Sequence, residues 1–339
     1  MKKNLGCAVF GAFLFLISSE AKAAGPTYIH DNIGVSTNWT PDGNPYIVQN
    51  DIIISKGTVL TISPGVEIHF VANTTGELGK GPNLVVEGGL KAVADNTQPI
   101  VFMPDVNGTL WGAIYFYGSD PMNSTLQACL IKGGRVVCNS ASPTITGCAI
   151  YGAKSGVEIA LNSQPQIIHN RITANGVGFV LLSDTSSPVI SDNDIYNNNY
   201  GFYLKDFGTP TISNNRIYNN LKYNIVNYSP KSLALPDNDF RQTDGSLIAR
   251  TIYDGMYNPQ LGRITFPAEE GSAQALSGQI TANSEQKPQV QEEDLWSYGR
   301  PFDAMKISNM EAQKKKSSGV MKVLAVGATA VVTAVLLFL

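Results

Sequence analysis

Short apolar stretches separated by Gly, Asn and Pro recur at a fixed interval along the middle of the chain. The repeat is clearest between Ser187 and Asn224, where the pattern P-x-I-S-x-N-x-I-Y-N-N occurs twice. Successive prolines, at Pro143, Pro165, Pro188 and Pro210, are 22, 23 and 22 residues apart. A glycine keeps the same register at Gly156, Gly178 and Gly201. Self-similarity at a fixed period identifies a repeat architecture.

Each repeat contains three short β-type pieces, which in the third copy read PVI, DIY and GFYL. None is long enough for a helix, and turn-forming residues separate them. Three short strands per turn of 22–23 residues predict a parallel β-helix, in which each strand pairs with its counterpart in the next coil. The predicted fold class is therefore all-β, and every repeated residue becomes a column along the solenoid.

Two isoleucine columns are predicted to point inward, because β-branched side chains suit a parallel sheet that is buried on its inner face. One column contains Ile145, Ile167, Ile190 and Ile212, and the other contains Ile150, Ile172, Ile195 and Ile217. The repeated glycines are expected to relax the turn before the next strand.

A polar column is also predicted to point inward. It contains Asn170, Asn193, Asn215 and Asn238, and it continues Cys129 and Cys148 of the earlier coils. An inward Asn at a tight turn can hydrogen-bond to the coils on both sides, and it tolerates the left-handed backbone of sharp turns. A second Asn column contains Asn175, Asn198 and Asn220. We predict that the first column is a structural ladder.

These motifs resemble the right-handed parallel β-helix repeat proteins over roughly residues 44–267. That class includes the pectate-lyase-like fold and the periplasmic copper-binding proteins of nitrous oxide reductase maturation. Asn44–Phe70 resembles the usual first coils, and Leu247–Phe266 resembles a segment that often closes such helices. The resemblance implies the fold but no single activity, because the fold hosts lyases, hydrolases, epimerases and non-catalytic binders.

The two ends of the chain differ in composition from the repeats. The N-terminus predicts a secretory signal peptide, because a basic start is followed by an apolar stretch and by the sequence Ala-Lys-Ala before Ala24. From Val323 on, 17 uncharged residues predict a C-terminal transmembrane helix. The predicted organisation is a signal peptide at 1–23, a lead-in or cap at 24–43, the β-helix at 44–246, its C-terminal cap at 247–267, a disordered linker at 268–318 and a transmembrane anchor at 319–339. We therefore expect an exported protein that is anchored in the membrane and faces the periplasm or the cell exterior.

The net charge and the positions of His and Cys argue against two functional classes, nucleic-acid binding and metal binding. A net charge of −3 argues against a nucleic acid partner. His30, His69 and His169 have no ligand-like spacing, so neither a metal nor another cofactor is expected. Cys129 and Cys148 lie on adjacent coils, at a spacing that a disulfide also allows. Because stacked side chains point the same way, we expect buried thiols.

Candidate site residues follow from the resemblance, which implies that a groove in such enzymes runs along the strand after the repeated glycine. Its outward residues are predicted to be Glu158, Val180 and Tyr203, then Ala160, Leu182 and Lys205. Of these, Glu158, Tyr203 and Lys205 are candidates for ligand binding. Asp184 and Asp206 are candidate catalytic residues, because glycosidases use two carboxylates about 5–9.5 Å apart. Val180 and Leu182 are poor lining for sugar-acid chemistry.

Charged residues beside the Asn column alternate in sign. They are Arg171, Asp194, Arg216 and Asp239. We interpret them as inter-coil ion pairs, and a charged binding strip is the alternative. The favoured function is a non-catalytic protein that binds polysaccharide or acts as a cell-envelope scaffold. A polysaccharide lyase or glycoside hydrolase that acts along the groove, and an accessory factor for an envelope metalloenzyme, remain the alternatives.

Overall fold

The structure, a computed structural model, describes residues 25–72, 81–118 and 124–266. Within these residues the chain winds through three long parallel sheets, which we call sheets A, B and C. From the strand Thr37–Trp39 to the strand Tyr223–Asn227, the chain passes through sheet C, then A, then B in each coil. The predicted all-β parallel β-helix is therefore confirmed.

The strands are numbered in chain order. Sheet A contains β1 (Thr27–Ile29), β3 (Tyr46–Val48), β6 (Glu67–Phe70), β9 (Ile100–Pro104), β12 (Cys129–Lys132), β15 (Ala149–Tyr151), β18 (Arg171–Thr173), β21 (Asp194–Tyr196) and β24 (Arg216–Tyr218). Sheet B contains β4 (Ile52–Ile54), β7 (Leu84–Val86), β10 (Ala113–Tyr117), β13 (Arg135–Asn139), β16 (Ser155–Ile159), β19 (Val177–Ser183), β22 (Tyr200–Phe207), β25 (Tyr223–Asn227) and β27 (Ile252–Tyr253). Sheet C contains β2 (Thr37–Trp39), β5 (Val59–Ile62), β8 (Gly89–Val93), β11 (Thr125–Gln127), β14 (Thr144–Thr146), β17 (Gln166–Ile168), β20 (Val189–Ser191) and β23 (Thr211–Ser213).

Both ends of the described solenoid carry short additional elements. A 3-10 turn, Pro41–Gly43, follows β2, and β1 and β2 already pair within sheets A and C in the region predicted as a lead-in or cap. At the other end, α1 (Gly245–Ala249) starts at Asp244, whose side chain accepts a hydrogen bond from the backbone of Ser246. Strands β26 (Leu233–Ala234) and β28 (Ile264–Thr265) pair with each other there.

The isoleucine columns lie inside the solenoid, as predicted. Ile145, Ile167, Ile190 and Ile212 pair in register along sheet C, and Ile150, Ile172, Ile195 and Ile217 do so along sheet A. All eight belong to one continuous core, and none is more than 5% exposed. Sheet B supplies larger side chains to the same core, including a stacked pair of rings, Phe179 and Phe202, 5.0 Å apart.

The first Asn column forms a continuous chain of hydrogen bonds at the turn between sheets C and A. The side-chain oxygen of Asn193 accepts from the backbone and side-chain amides of Asn170, at 2.8 and 3.0 Å. Its own amide donates to Asn215 Oδ1 at 2.9 Å and to the carbonyl of Ile167 at 2.8 Å. Asn215 repeats the pattern with Asn238, and Cys148 begins the chain by donating its backbone N–H to Asn170.

The repeated glycines are required for a different reason from the one predicted. Gly178 does not have a left-handed backbone, so it does not relax a turn. A Cβ on Gly178 would lie 2.6 Å from the carbonyl oxygen of Gly201 in the next coil, closer than any Cβ normally comes to oxygen. Close approach of the coils, rather than backbone freedom, explains this column.

Three predicted segments, the signal peptide at 1–23, the linker at 268–318 and the anchor at 319–339, lie outside the described residues. In the part of the chain that the structure describes, no helix has both the length and the apolar character needed to cross a membrane.

Candidate functional site

The outer face of sheet B carries the candidate ligand-binding residues. Glu158, Val180 and Tyr203 pair in register on β16, β19 and β22. Their side chains point away from the core, because the neighbours of each in the strand, such as Phe202 and Leu204 around Tyr203, belong to the core cluster. We call this surface the outer B face.

Unlike a typical outer surface, the outer B face is deeply buried. Glu158 is 2% exposed, while Val180 and Tyr203 are fully buried. Among the other candidate residues, Lys205 is exposed. Glu158 and Tyr203 lie in one column, but their surroundings differ. Charged residues surround Glu158, and aromatic residues surround Tyr203.

A group of charges surrounds Glu158. Arg135 Nη1 donates to Glu158 Oε1 at 3.1 Å, and the hydroxyl of Ser155 donates to the same oxygen. Lys154 is close enough that burial and the charge of Arg135 lower its pKa, while Glu158 acts in the opposite direction. We call Arg135, Lys154 and Glu158 the charged cluster. It combines two cations with one carboxylate.

Beside the charged cluster lies an open depression of about 350 Å³ at the turn between sheets A and B. Its lining includes Leu110, Lys154, Asn175, Asn197 and Asn199. Asn175 is buried and holds the turn by accepting from the backbone of Ala153 at 3.0 Å. Asn197 is exposed and Asn199 is half-buried. The depression therefore offers amide groups and one ammonium group to a polar ligand.

A tyrosine follows the charged cluster toward the N-terminal end of the outer B face. The hydroxyl of Tyr115 accepts from Asn139 Nδ2 at 2.8 Å, and burial raises the pKa of Tyr115. Its ring stacks on Tyr117, with 5.9 Å between the ring centroids. The half-buried Tyr117 ring thus borders the face with an aromatic surface.

The predicted alignment of the last residues of β19 and β22 is wrong by one position. Leu182 pairs with Asp206 rather than with Lys205, because the register shifts after Leu181 and leaves Lys205 as an extra residue. Asp184 is exposed and follows Ser183, which pairs with Phe207, and its backbone carbonyl lies beside Gly208. Asp206 instead accepts from Lys231 Nζ at 2.9 Å. The two candidate catalytic carboxylates therefore do not occupy equivalent positions on adjacent coils.

The charged column on sheet A forms one clear inter-coil ion pair. Arg216 binds both carboxylate oxygens of Asp194 in the preceding coil, and this contact raises the pKa of Arg216. Asp239 instead accepts from Arg241, two residues along, with 3.4 Å between the charged atoms. These contacts fit the structural interpretation of the column.

The cysteines and histidines show no ligand-binding arrangement in the described residues. Cys129, Cys138 and Cys148 are buried free thiols, as expected for inward side chains that point the same way. No group of three His, Cys, Asp or Glu side chains within residues 25–72, 81–118 and 124–266 lies close enough to hold a metal ion.

Sequence reasoning did not identify Arg135 or Lys154. Arg135 precedes the first well-matched repeat, so the 22–23-residue alignment gave it no position. A signal in the sequence could have identified Lys154. It lies four residues before Glu158, at the end of the turn that leads into the strand containing Glu158. A cation and a carboxylate around one solenoid turn are candidates for a shared site.

Comparison with known proteins supports the fold. Residues 112–251 match the family model described as a right handed beta helix region. Neither the curated proteins nor the solved structures gave a match. The matched segment covers the coils from β10 to α1, which includes the charged cluster and the Asn ladder. With the parallel pairing of its three sheets, the described part of the chain has the right-handed parallel β-helix fold.

Proposed function

We propose that the protein is a non-catalytic module that binds an acidic polysaccharide at the depression beside the charged cluster. The observation that carries the proposal is the placement of Lys154, which lines the depression together with the exposed Asn197 and the half-buried Asn199. A lysine ammonium attracts a sugar carboxylate, while the neighbouring Asn amides can donate to and accept from sugar hydroxyls.

The same geometry favours binding over catalysis. Glu158 is buried and accepts from Arg135 and Ser155, so its carboxylate is fixed in the ion pair. Asp184 and Asp206, the other candidate carboxylates, are displaced from each other by the register shift. A glycosidase needs two carboxylates that face the scissile bond together.

The test compares Lys154→Gln with Lys91→Gln in the full chain. Lys91 is an exposed lysine on the outer face of sheet C, so its replacement removes the same charge away from the depression. We expect Lys154→Gln to weaken binding of an acidic polysaccharide about tenfold, equivalent to losing roughly 1.4 kcal/mol. Lys91→Gln should leave the affinity unchanged. A glycan array identifies the polysaccharide, and calorimetric titration measures the two variants.

Three results would contradict this proposal. They are a failure to bind any acidic glycan, equal losses in both variants, and release of shortened or unsaturated sugar products. The last result would instead support the lyase or hydrolase hypothesis, and replacement of Asp206 by Asn would then show whether that carboxylate takes part.

We also propose that the module is exported by the segment 1–23 and held at the membrane by the segment 319–339. The uncharged run from Val323 to Leu339 supports an anchor, since 17 residues at 1.5 Å each extend about 26 Å as a helix. The module would then be displayed on the outer side of the membrane, where polysaccharides are present.

Removal of residues 319–339 is expected to shift the protein from the membrane fraction to the soluble fraction. The reason is that no remaining segment is both uncharged and comparably apolar once the signal peptide has been cleaved. Residues 136–153 are uncharged but contain several Ser, Thr and Gly residues. Fractionation with N-terminal sequencing of the product measures both events. If the shortened chain stays with the membrane although its signal peptide is cleaved, the tail is not the anchor.

A further inference from the structure

An aromatic and aliphatic surface occupies the C-terminal half of the outer B face. Its residues form one cluster that is separate from the solenoid core. We call it the tyrosine face, and it consists of Val177, Val180, Tyr200, Tyr203, Tyr223, Val226 and Tyr253. Val180, Tyr203 and Val226 are fully buried although they point away from the core. An outward side chain on a sheet is buried only when something packs over it.

The closing segment of the described chain covers one end of this surface. Tyr257 and Leu261 pack against the tyrosine face, and the ring of Tyr257 stacks on Tyr253 at 6.0 Å. Leu182 and Tyr228 also pack against it, and the Tyr228 ring lies 6.0 Å from that of Tyr203. Val180 lies three coils from Tyr253, or about 14 Å at the usual strand spacing. Burial therefore continues well along the solenoid from the end that Tyr257 contacts.

We propose that the segment 294–302, with the sequence DLWSYGRPF, docks on the tyrosine face of its own chain. This segment contains Trp296, Tyr298 and Phe302, which are the aromatic residues of the stretch 268–318. In an extended chain Trp296 and Tyr298 project to the same side, because side chains alternate with a period of two. Such a pair can pack two aromatic rings onto the rows of tyrosines.

Charge complementarity supports this occupant and its orientation. Lys205 and Lys222 are exposed beside the tyrosine face, and Lys222 Nζ lies 5.3 Å from the centre of the Tyr200 ring. The three residues Glu292, Glu293 and Asp294 are acidic and immediately precede the aromatic residues. Opposite charges at the rim of an apolar contact fix its register more than its affinity.

The connection is long enough for docking within one molecule. Leu261 already packs on the tyrosine face, and the described chain ends five residues later at Phe266. Residues 267–293 provide 27 residues between Phe266 and the segment, which can span up to about 90 Å. Tethering through 27 residues raises the effective concentration of the segment at the tyrosine face, so modest contacts suffice.

The test labels the full chain, purified in detergent, with 5-fluorotryptophan and records its fluorine NMR spectrum. The chain has three tryptophans, and Trp296→Phe assigns the resonance of the docking segment. Trp39 and Trp111 are 3% and 1% exposed in the core, so their resonances report that the solenoid is folded. We expect the Trp296 resonance to differ from that of free 5-fluorotryptophan and to show a much smaller shift on exchange of water for D₂O.

Two variants of the tyrosine face are expected to release the segment. Val180→Asp introduces a charge beneath the docked rings, and Lys222→Glu places an acid beside Glu292 and Glu293. Both should move the Trp296 resonance to the free position while the Trp39 and Trp111 resonances stay in place. Lys222 is exposed, so its replacement remains a valid test if Val180→Asp does not fold. The control is Thr173→Asp, on the outer face of sheet A, which should leave all three resonances unchanged.

Several outcomes would overturn the proposal. A Trp296 resonance at the free position in the unaltered chain means that the segment does not dock. A shifted resonance that is unchanged by both Val180→Asp and Lys222→Glu means that the segment docks elsewhere. A shifted resonance that returns to the free position on dilution means that the segment binds a second copy of the chain. These outcomes are independent of glycan binding, which concerns the charged cluster and the depression.

Discussion

Replacing Asn193 with Leu is expected to lower the free energy of unfolding by about 3 kcal/mol. The substitution removes four side-chain hydrogen bonds, two that Asn193 accepts from Asn170 and two that it donates to Asn215 and Ile167. All three partners are buried, so their polar groups would be left unpaired in the solenoid. Urea unfolding followed by circular dichroism measures the loss as a lower midpoint.

The control for this experiment is Asp194→Asn, on the next residue of the same coil. Asp194 points outward, and its side chain and that of Arg216 are 20% and 51% exposed. An ion pair at such a surface contributes at most about 1 kcal/mol. Equal midpoints for Asn193→Leu and Asp194→Asn would mean that the Asn column does not carry the stability assigned to it.

Replacing Gly178 with Ala is expected to cost about 3 kcal/mol, at the upper end of the range for overpacked sites. The new methyl group would lie 2.6 Å from the carbonyl oxygen of Gly201 and 3.2 Å from Ile195 Cγ2. Because the clash is with the backbone of the next coil, relief requires separating two paired strands. Thermal and urea unfolding of the variant measure the loss.

Gly34→Ala is the matched control for this second prediction. Nothing lies within 4 Å of a Cβ on Gly34, and its backbone is not left-handed. The same methyl group should therefore change stability by no more than about 0.5 kcal/mol. A similar loss in both variants would show that the close approach of coils does not explain the effect.

The sequence was sufficient to predict what repeats in every coil. Ile167 and Ile190 are 23 residues apart, and that interval places them in register on adjacent strands of sheet C. A periodic pattern predicts a column because parallel strands align equivalent residues. The same regularity placed Glu158, Val180 and Tyr203 in one column on the outer B face.

Features that belong to one coil could not be predicted in this way. The extra residue at Lys205 changes the register locally without changing the positions of the later markers, so counting residues misplaced Asp206. Burial of Tyr203 also escaped the pattern, because alternation indicates the side of a strand and not what packs over it. The charged cluster depends on Arg135, which lies outside the well-matched repeats.

The hydrogen bonds that join successive residues of the Asn ladder all run in one direction along the axis. Each side chain from Asn170 to Asn215 donates to the Asn of the following coil and accepts from the residue of the preceding one. Any two neighbouring coils in this stretch therefore present the same complementary edges. Duplication or loss of a whole coil would leave the donors and acceptors matched, so the gene could lengthen or shorten the protein one turn at a time. Only the two end residues of the ladder must be kept. Cys148 needs no hydrogen-bond donor from the preceding coil, and Asn238 needs no acceptor in the following one.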